Sequence, residues 1–174
     1  MKRLWTYRYL IAWSVCALTL LTGCYLPKYS FTSTSIDYNL IHSIQIDKIA
    51  NRAPYGWAPM EAMFNTKLQD KYANQTRLQI VKRNGDLHVA GEITGYDQYN
   101  KGVSAEGYSA QVQLKMTVNI RFENPKKNIQ WERQFTATTQ YNSTQQLSTV
   151  QERLVTEMIE DLTDQIFNAT VADW

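Results

Sequence analysis

Ala110-Gln111-Val112-Gln113-Leu114-Lys115-Met116-Thr117-Val118-Asn119-Ile120-Arg121-Phe122-Glu123 alternates without a break. Every even position is apolar and every odd position is polar. Successive side chains of a β-strand point to opposite faces, so this stretch predicts a long strand with one face buried and one wet. It decides the fold class: a sheet buried on one face needs one covering layer.

The flanking sequence supplies that sheet and that layer. Asn124-Pro125 marks a turn into a strand from Ile129 to about Tyr141, with Ile129, Trp131, Phe135 and Ala137 inward and Arg133 breaking the pattern. Gln130, Glu132, Gln134, Thr136, Thr138 and Gln140 alternate outward. Upstream, strands from Arg77 to Val81 and from Leu87 to about Tyr96 flank Asn84-Gly85, the dipeptide of a two-residue hairpin. Leu87, Val89 and Ile93 share one face with Gly91 and Gly95, which suggests a bend or bulge. A first strand is expected within Leu40 to Ile49, and Asn51 to Trp57 reads as a loop.

Two helices complete the order. Pro59 suits a first helical turn, and Met60, Phe64, Leu68 and Tyr72 recur every four residues as one apolar stripe. Asn74 suits a left-handed helix end. Thr149 and Glu152 have the spacing of a capping box for a second helix, whose stripe is Leu154/Val155, Met158/Ile159, Leu162 and Ile166. The expected order is β-α-β-β-β-β-α. The expected fold is α+β, a two-layer sandwich with two helices on one face of a mostly antiparallel sheet of four or five strands.

The chain begins differently. Lys2, Arg3 and Arg8 precede an apolar run from Leu10 to Leu21, too short for a membrane-spanning helix of ~20 residues. Leu21-Thr22-Gly23-Cys24 closes it as a lipoprotein cleavage site. Residues 1–23 are therefore expected to be a signal peptide, residues 24–36 the lipidated Cys24 and a Ser/Thr-rich tether, and residues 37–174 a single domain. Two or more acyl chains on Cys24 would anchor the domain stably, at ~0.8 kcal/mol per buried methylene. Cleavage also changes the charge. The signal holds three of the 18 basic residues and no acid, so the mature chain has 15 basic against 16 acidic residues. The apparent basicity goes with the signal, and no global attraction to nucleic acid remains. Cys16 is lost as well, which leaves Cys24 without a disulfide partner.

Catalysis is not expected. His42 and His88 have no metal-ligand spacing and read as exposed structural histidines, so neither a metal nor a cofactor is implied beyond the covalent lipid on Cys24. Gly107-Tyr108-Ser109-Ala110 lacks the second glycine of a nucleophile elbow. Glu160, Asp161 and Asp164 lie on the polar side of the second helix, where a solvated face explains them.

Two surface features remain. The wet face of the central strand offers Gln111, Gln113, Lys115, Thr117, Asn119 and Arg121, and the next strand adds more Gln and Thr. Such a face is either a solvated sheet surface or a wall that pairs with another polar wall, such as the inside of an outer-membrane barrel, without desolvating many charges. The turns Lys82-Arg83-Asn84-Gly85 and Pro125-Lys126-Lys127 are two hairpins apart and so should emerge at one end. Lys82, Arg83, Lys126 and Lys127 are then either ordinary surface cations or a site for phosphate groups of a glycolipid. The opposite end would carry a Tyr99 to Ser109 loop.

Several strings support a resemblance. They are Cys24 followed by Tyr29-Ser30-Phe31-Thr32-Ser33-Thr34-Ser35-Ile36, then Asn51-Arg52-Ala53-Pro54, Asn74-Gln75-Thr76-Arg77-Leu78 with Gly85-Asp86-Leu87, Gly91-Glu92-Ile93-Thr94-Gly95-Tyr96, and Phe167 to Trp174. Together they resemble the LptE-type lipopolysaccharide-assembly lipoproteins of the outer membrane, in the form carried by Bacteroidetes-like bacteria. The resemblance implies a non-enzymatic lipoprotein on the periplasmic face of the outer membrane. It would plug and help assemble an LptD-type β-barrel and assist lipopolysaccharide insertion. The competing expectation is an adaptor lipoprotein of another envelope lipid-transport machine.

Overall fold

The computed structural model describes residues 36–101 and 111–172. The signal peptide, Cys24, most of the tether and the segment from 102 to 110 lie outside the described residues. The order is β1 (Ser43–Ile46), β2 (Ala50–Asn51), α1 (Met60–Gln75), β3 (Gln79–Val81), β4 (Leu87–Lys101), β5 (Gln111–Asn124), β6 (Ile129–Asn142) and α2 (Leu147–Phe167), which ends in a π-helical turn, Asn168–Ala172. Two helices cover one face of a six-stranded sheet of order β3-β1-β4-β5-β6, with β2 also beside β4. The sheet is mixed: β4-β5-β6 is antiparallel, while β1 runs parallel to both β3 and β4.

Burial follows the alternation of β5. Val112, Leu114, Met116, Val118, Ile120 and Phe122 are buried under the helices. The α1 stripe of Met60, Phe64, Leu68 and Tyr72 meets them from above. So does the α2 stripe of Leu154, Val155, Met158, Ile159, Leu162 and Ile166. Each such apolar side chain contributes ~1.5–3 kcal/mol on leaving water. Ile36 is buried with them at 7% exposure, so the fold reaches into the segment expected to be tether. Glu160 and Asp164 do not merely face solvent: they pair with Lys67 and Lys71 of α1 and stitch the helices together.

The expected first strand is split for an identifiable reason. The Ile49 backbone N–H and C=O bond the Asn65 side chain of α1 at 2.8 and 2.9 Å. Those groups are thus withdrawn from the sheet, and β2 resumes only at Ala50. Both expected caps are absent. α1 runs through Asn74 and leaves by an extended Thr76, whose N–H and hydroxyl both donate to the Tyr72 carbonyl. α2 starts two residues before Thr149, which donates its N–H to the Gln146 carbonyl in place of forming a capping box.

The Asn84-Gly85 hairpin is overturned. β3 and β4 are not neighbours, because β1 lies between them and pairs with both. Asn84 is left-handed at φ 57°, yet the segment passes across β1 instead of folding back beside β3. Gly85 serves close approach: a Cβ there would sit 2.4 Å from the Gln45 nitrogen. A bulge between Ile93 and Gly95 inserts Thr94 and inverts the parity of β4. Val89 and Ile93 point to the helices before it, and Tyr96 does so after it. Gly95 consequently pairs with Thr117 on the open face, not on the buried one.

Candidate functional site

The second face of the sheet has no covering layer among the described residues. The register of β4, β5 and β6 lays it out in cross-strand rows. Towards one end these are Tyr99–Gln113–Gln140, Asp97–Lys115–Thr138 and Gly95–Thr117–Thr136. Towards the other they are Glu92–Asn119–Gln134, Ala90–Arg121–Glu132 and His88–Glu123–Gln130. Gln111, Gln113, Lys115, Thr117, Asn119 and Arg121 thus share the open face. Arg121 is exposed, whereas Thr117 lies low among longer neighbours at 8% exposure.

The two ends differ in chemistry. The first is mostly amide and hydroxyl. The second is ionic, because β1 and β4 bring residues that β5 and β6 do not reveal. Glu132 accepts from the Asn119 amide at 2.5 Å and from Arg121 Nη2 at 3.3 Å, and these partners hold its carboxyl below the ordinary range. Asp47 is lowered chiefly by the Gln45 amide at 2.8 Å and then by His88, whose Nε2 lies 2.9 Å from it. His88 Nδ1 is 3.8 Å from Glu123. His88 is therefore a half-buried member of an ionic cluster, not an exposed bystander, while His42 is exposed. A groove of about 340 Å³ runs between these groups, lined by Asp47, Lys48, Glu92, Asn119, Arg121 and Glu132. No cluster of His, Cys, Asp or Glu among the described residues has metal-binding geometry.

The basic end forms by another route than hairpin counting. β4 begins level with the end of β5, so the 82–86 segment and the 125–128 turn emerge together. Lys82, Arg83, Lys126 and Lys127 are exposed there. Asp86 sits among them, and Lys126 Nζ is 3.7 Å from its carboxylate. Asp86 also accepts from the His42 N–H at 2.9 Å, the Ser43 N–H at 3.1 Å and the Ser43 hydroxyl at 3.0 Å. The His42 N–H is the largest cause of its lowered pKa. Asp86 thus nails the segment to β1 and offsets part of the positive charge. Sequence reasoning missed this, since its partners lie more than forty residues away. Tyr99, expected in a loop at the far end, lies within β4 instead.

A family model described as LptE, lipopolysaccharide-assembly, matches residues 41–170, from just before β1 into the last helical turn. The chain belongs to the LptE family. Solved structures are similar to the chain at low identity. Rare lipoprotein B of Shewanella oneidensis is 17% identical over 72% of this chain and 92% of its own, with a TM-score of 0.49. A lipoprotein B of Nitrosomonas europaea is 18% identical over 72% and 79%, with a TM-score of 0.48. A protein of Xanthomonas campestris is 12% identical over 73% and 83%, with a TM-score of 0.51, which supports the fold alone. No curated protein matches the chain. LptE membership places the open face and the basic end on a lipopolysaccharide-assembly protein, and no helix among the described residues is long and apolar enough to cross a membrane.

Proposed function

We propose that this protein is a non-catalytic accessory of the outer membrane, anchored through a lipid on Cys24 and facing the periplasm. In this reading it occupies and helps assemble an LptD-type β-barrel and assists insertion of lipopolysaccharide. The observation that carries the reading is the uncovered face. Two helices bury one side of the sheet, while the other side presents Gln111, Gln113, Thr136, Thr138 and Gln140, an amide and hydroxyl surface interrupted by Lys115 opposite Thr138. Amides and hydroxyls exchange water for a polar barrel wall at small cost, because each donor and acceptor can be satisfied again. The basic end fits phosphate. Lys82, Arg83 and Lys127 stand beside the Lys126–Asp86 pair, and charge-assisted bonds to phosphate oxygens are the strong class of hydrogen bond.

The test is purification from outer membranes with a photo-crosslinker at Gln113 or Thr138. A crosslink to a large outer-membrane barrel is expected, with none from Lys67 on the helix side. Crosslinks from Lys67 alone would overturn the open-face assignment. Recovery with an ABC transporter and no barrel would instead support the adaptor reading. Charge reversal at Lys82, Arg83, Lys126 and Lys127 is expected to weaken lipopolysaccharide binding; unchanged binding would remove those residues.

A further inference from the structure

β4 has two edges, and only one is fully used. β5 pairs with it from His88 to Lys101. On the other edge β1 covers Leu87 to Val89 and β2 covers Glu92 and Ile93, and the Arg52 N–H closes the ladder on the Ile93 carbonyl at 2.8 Å. From Thr94 to Lys101 no strand among the described residues pairs with that edge, a length of some 25 Å at ~3.3 Å per residue. The stretch Thr-Gly-Tyr-Asp-Gln-Tyr-Asn-Lys contains no proline; its bulge and its lysine stand at the two ends, so between Gly95 and Asn100, Asp97 is the one charged guard of the edge. β6 forms the sheet's other long edge and is better protected. Glu132 and Arg133 are exposed on it, and the Gln165 side chain of α2 donates to its Thr136 carbonyl.

A groove of about 470 Å³ lies directly beside the free part of β4. Tyr55, Tyr96, Gln98, Leu114, Leu147 and Gln151 line it. Its walls are tied in place: Gln151 donates to the Tyr96 hydroxyl at 3.1 Å, and Gln98 to the Tyr141 hydroxyl at 2.6 Å. Tyr55 stands over the groove at 77% exposure. A strand edge facing a helix across an apolar slot is the geometry by which an extended peptide joins a sheet: main-chain bonds supply affinity and the slot selects a side chain.

We propose that the Thr94–Lys101 edge is a strand-addition site for an extended segment of a partner protein. The occupant carries an apolar or aromatic residue into the slot between Tyr55 and Leu147, and a basic residue opposite Asp97. A row of backbone N–H and C=O groups with no strand partner among the described residues is matched only by another backbone, which decides for polypeptide over lipid or sugar. The proposal is separable from the open-face reading, since the slot lies on the helix side of the sheet and only Asp97 among its named contacts belongs to an open-face row.

The test uses the full-length chain and synthetic peptides of about ten residues, the length of the free edge. They alternate Val and Thr, carry Leu, Phe or Tyr centrally, and have one Lys on the opposite side. The expected result is binding with new amide-exchange protection confined to the alternate amides of Gly95–Lys101 that point away from β5. N-methylation along the docking side of the peptide should weaken binding roughly tenfold, the loss of one or two backbone hydrogen bonds, while methylation along its other side should not. Tyr55→Asp, at an exposed position that leaves the fold intact, should weaken binding as well. Absence of binding by every peptide, equal effects of the two methylation patterns, or protection elsewhere would overturn the proposal. So would a peptide-free chain already protected at those outward-pointing amides, whether as a dimer that pairs two copies or as a monomer that fills the edge itself.

Discussion

The two faces of β5 are made by alternate residues of one continuous strand, and they obey different rules. Phe122 is fully buried against Trp131, with ring centroids 5.3 Å apart, while its neighbour Arg121 lies across the sheet beside Glu132 in water. On the covered face shape is decisive, because a void beneath the helices has nothing to fill it. On the open face partners can be exchanged for water, so sequence is free to serve something outside the chain. The largest expected effect tests that contrast between adjacent positions. Phe122→Ala should cost about 3–5 kcal/mol in denaturant unfolding. Arg121→Ala should cost about half a kcal/mol or less, as exposed pairs do. Equal costs would mean that the open face is structural after all.

The next effect lies where the two faces meet the basic end. Asp86 is polar and partly exposed, yet three donors, the His42 N–H just before β1 and the Ser43 N–H and hydroxyl, converge on its carboxylate. Asp86→Ala should cost about 2 kcal/mol, since hydrogen bonds to a charged acceptor are worth more than neutral ones. Its lowered pKa sets the pH dependence. A carboxylate held below its unfolded value stabilises the fold at higher pH, and that contribution is lost as pH falls below about 4. The wild type should therefore lose stability on acidification more steeply than Asp86→Ala. Asp47 and Glu132 are lowered as well and act with the same sign in both proteins.

Asp86 also shows what the sequence could and could not reveal. Periodicity announced β5, α1 and α2, because burial on one face leaves a repeat in the chain itself. The common location of Lys82, Arg83, Lys126 and Lys127 was expected from two hairpins, one of which does not exist. The location holds because β4 begins level with the end of β5, although β1 separates β3 from β4, and strand order leaves no local trace. The inserted Thr94 is invisible for a related reason: it moves Tyr96 inward only by reference to the pairing with Met116. The ionic end of the open face was missed because His88 and Asp47 join Glu123, Arg121 and Glu132 only across strands. LptE membership was legible from short strings in a fixed order, whereas Asp86's role required coordinates.

A smaller effect separates the covered face's packing from its polar bonds. Tyr72 is fully buried, and burial drives its phenol far above its ordinary pKa, so it acts as a neutral group throughout. Its hydroxyl meets the Thr170 hydroxyl at 2.5 Å, and Thr170 in turn donates to the carbonyls of Ile166 and Phe167. Tyr72→Phe keeps the ring against Phe167, 5.3 Å away between centroids, and removes only the bond. The expected cost is about 1 kcal/mol, read from the denaturation midpoint, because Thr170 retains other partners. A loss as large as that of Phe122→Ala would show that the bond holds the whole π-helical end in place.

The smallest expected change in stability carries the largest functional contrast. Thr138 is exposed and faces Lys115 across the β5–β6 ladder, while its neighbours Ala137 and Thr139 point into the core. Thr138→Glu therefore places a carboxylate opposite a cation in water, and stability should move by no more than about 0.5 kcal/mol. Against a polar barrel wall the same carboxylate would have to shed water at a site built for amides and hydroxyls, so recovery of the barrel should fall sharply. Gln140→Glu, one row further along the face, should repeat the result. Stability and barrel recovery both unchanged would leave the open face as an ordinary wet surface. Stability unchanged with recovery lost would show that the uncharged positions of the open face, Gln111, Gln113, Thr136, Thr138 and Gln140, are kept neutral for a partner, as Val112 to Phe122 at the even positions of β5 are kept apolar for the helices.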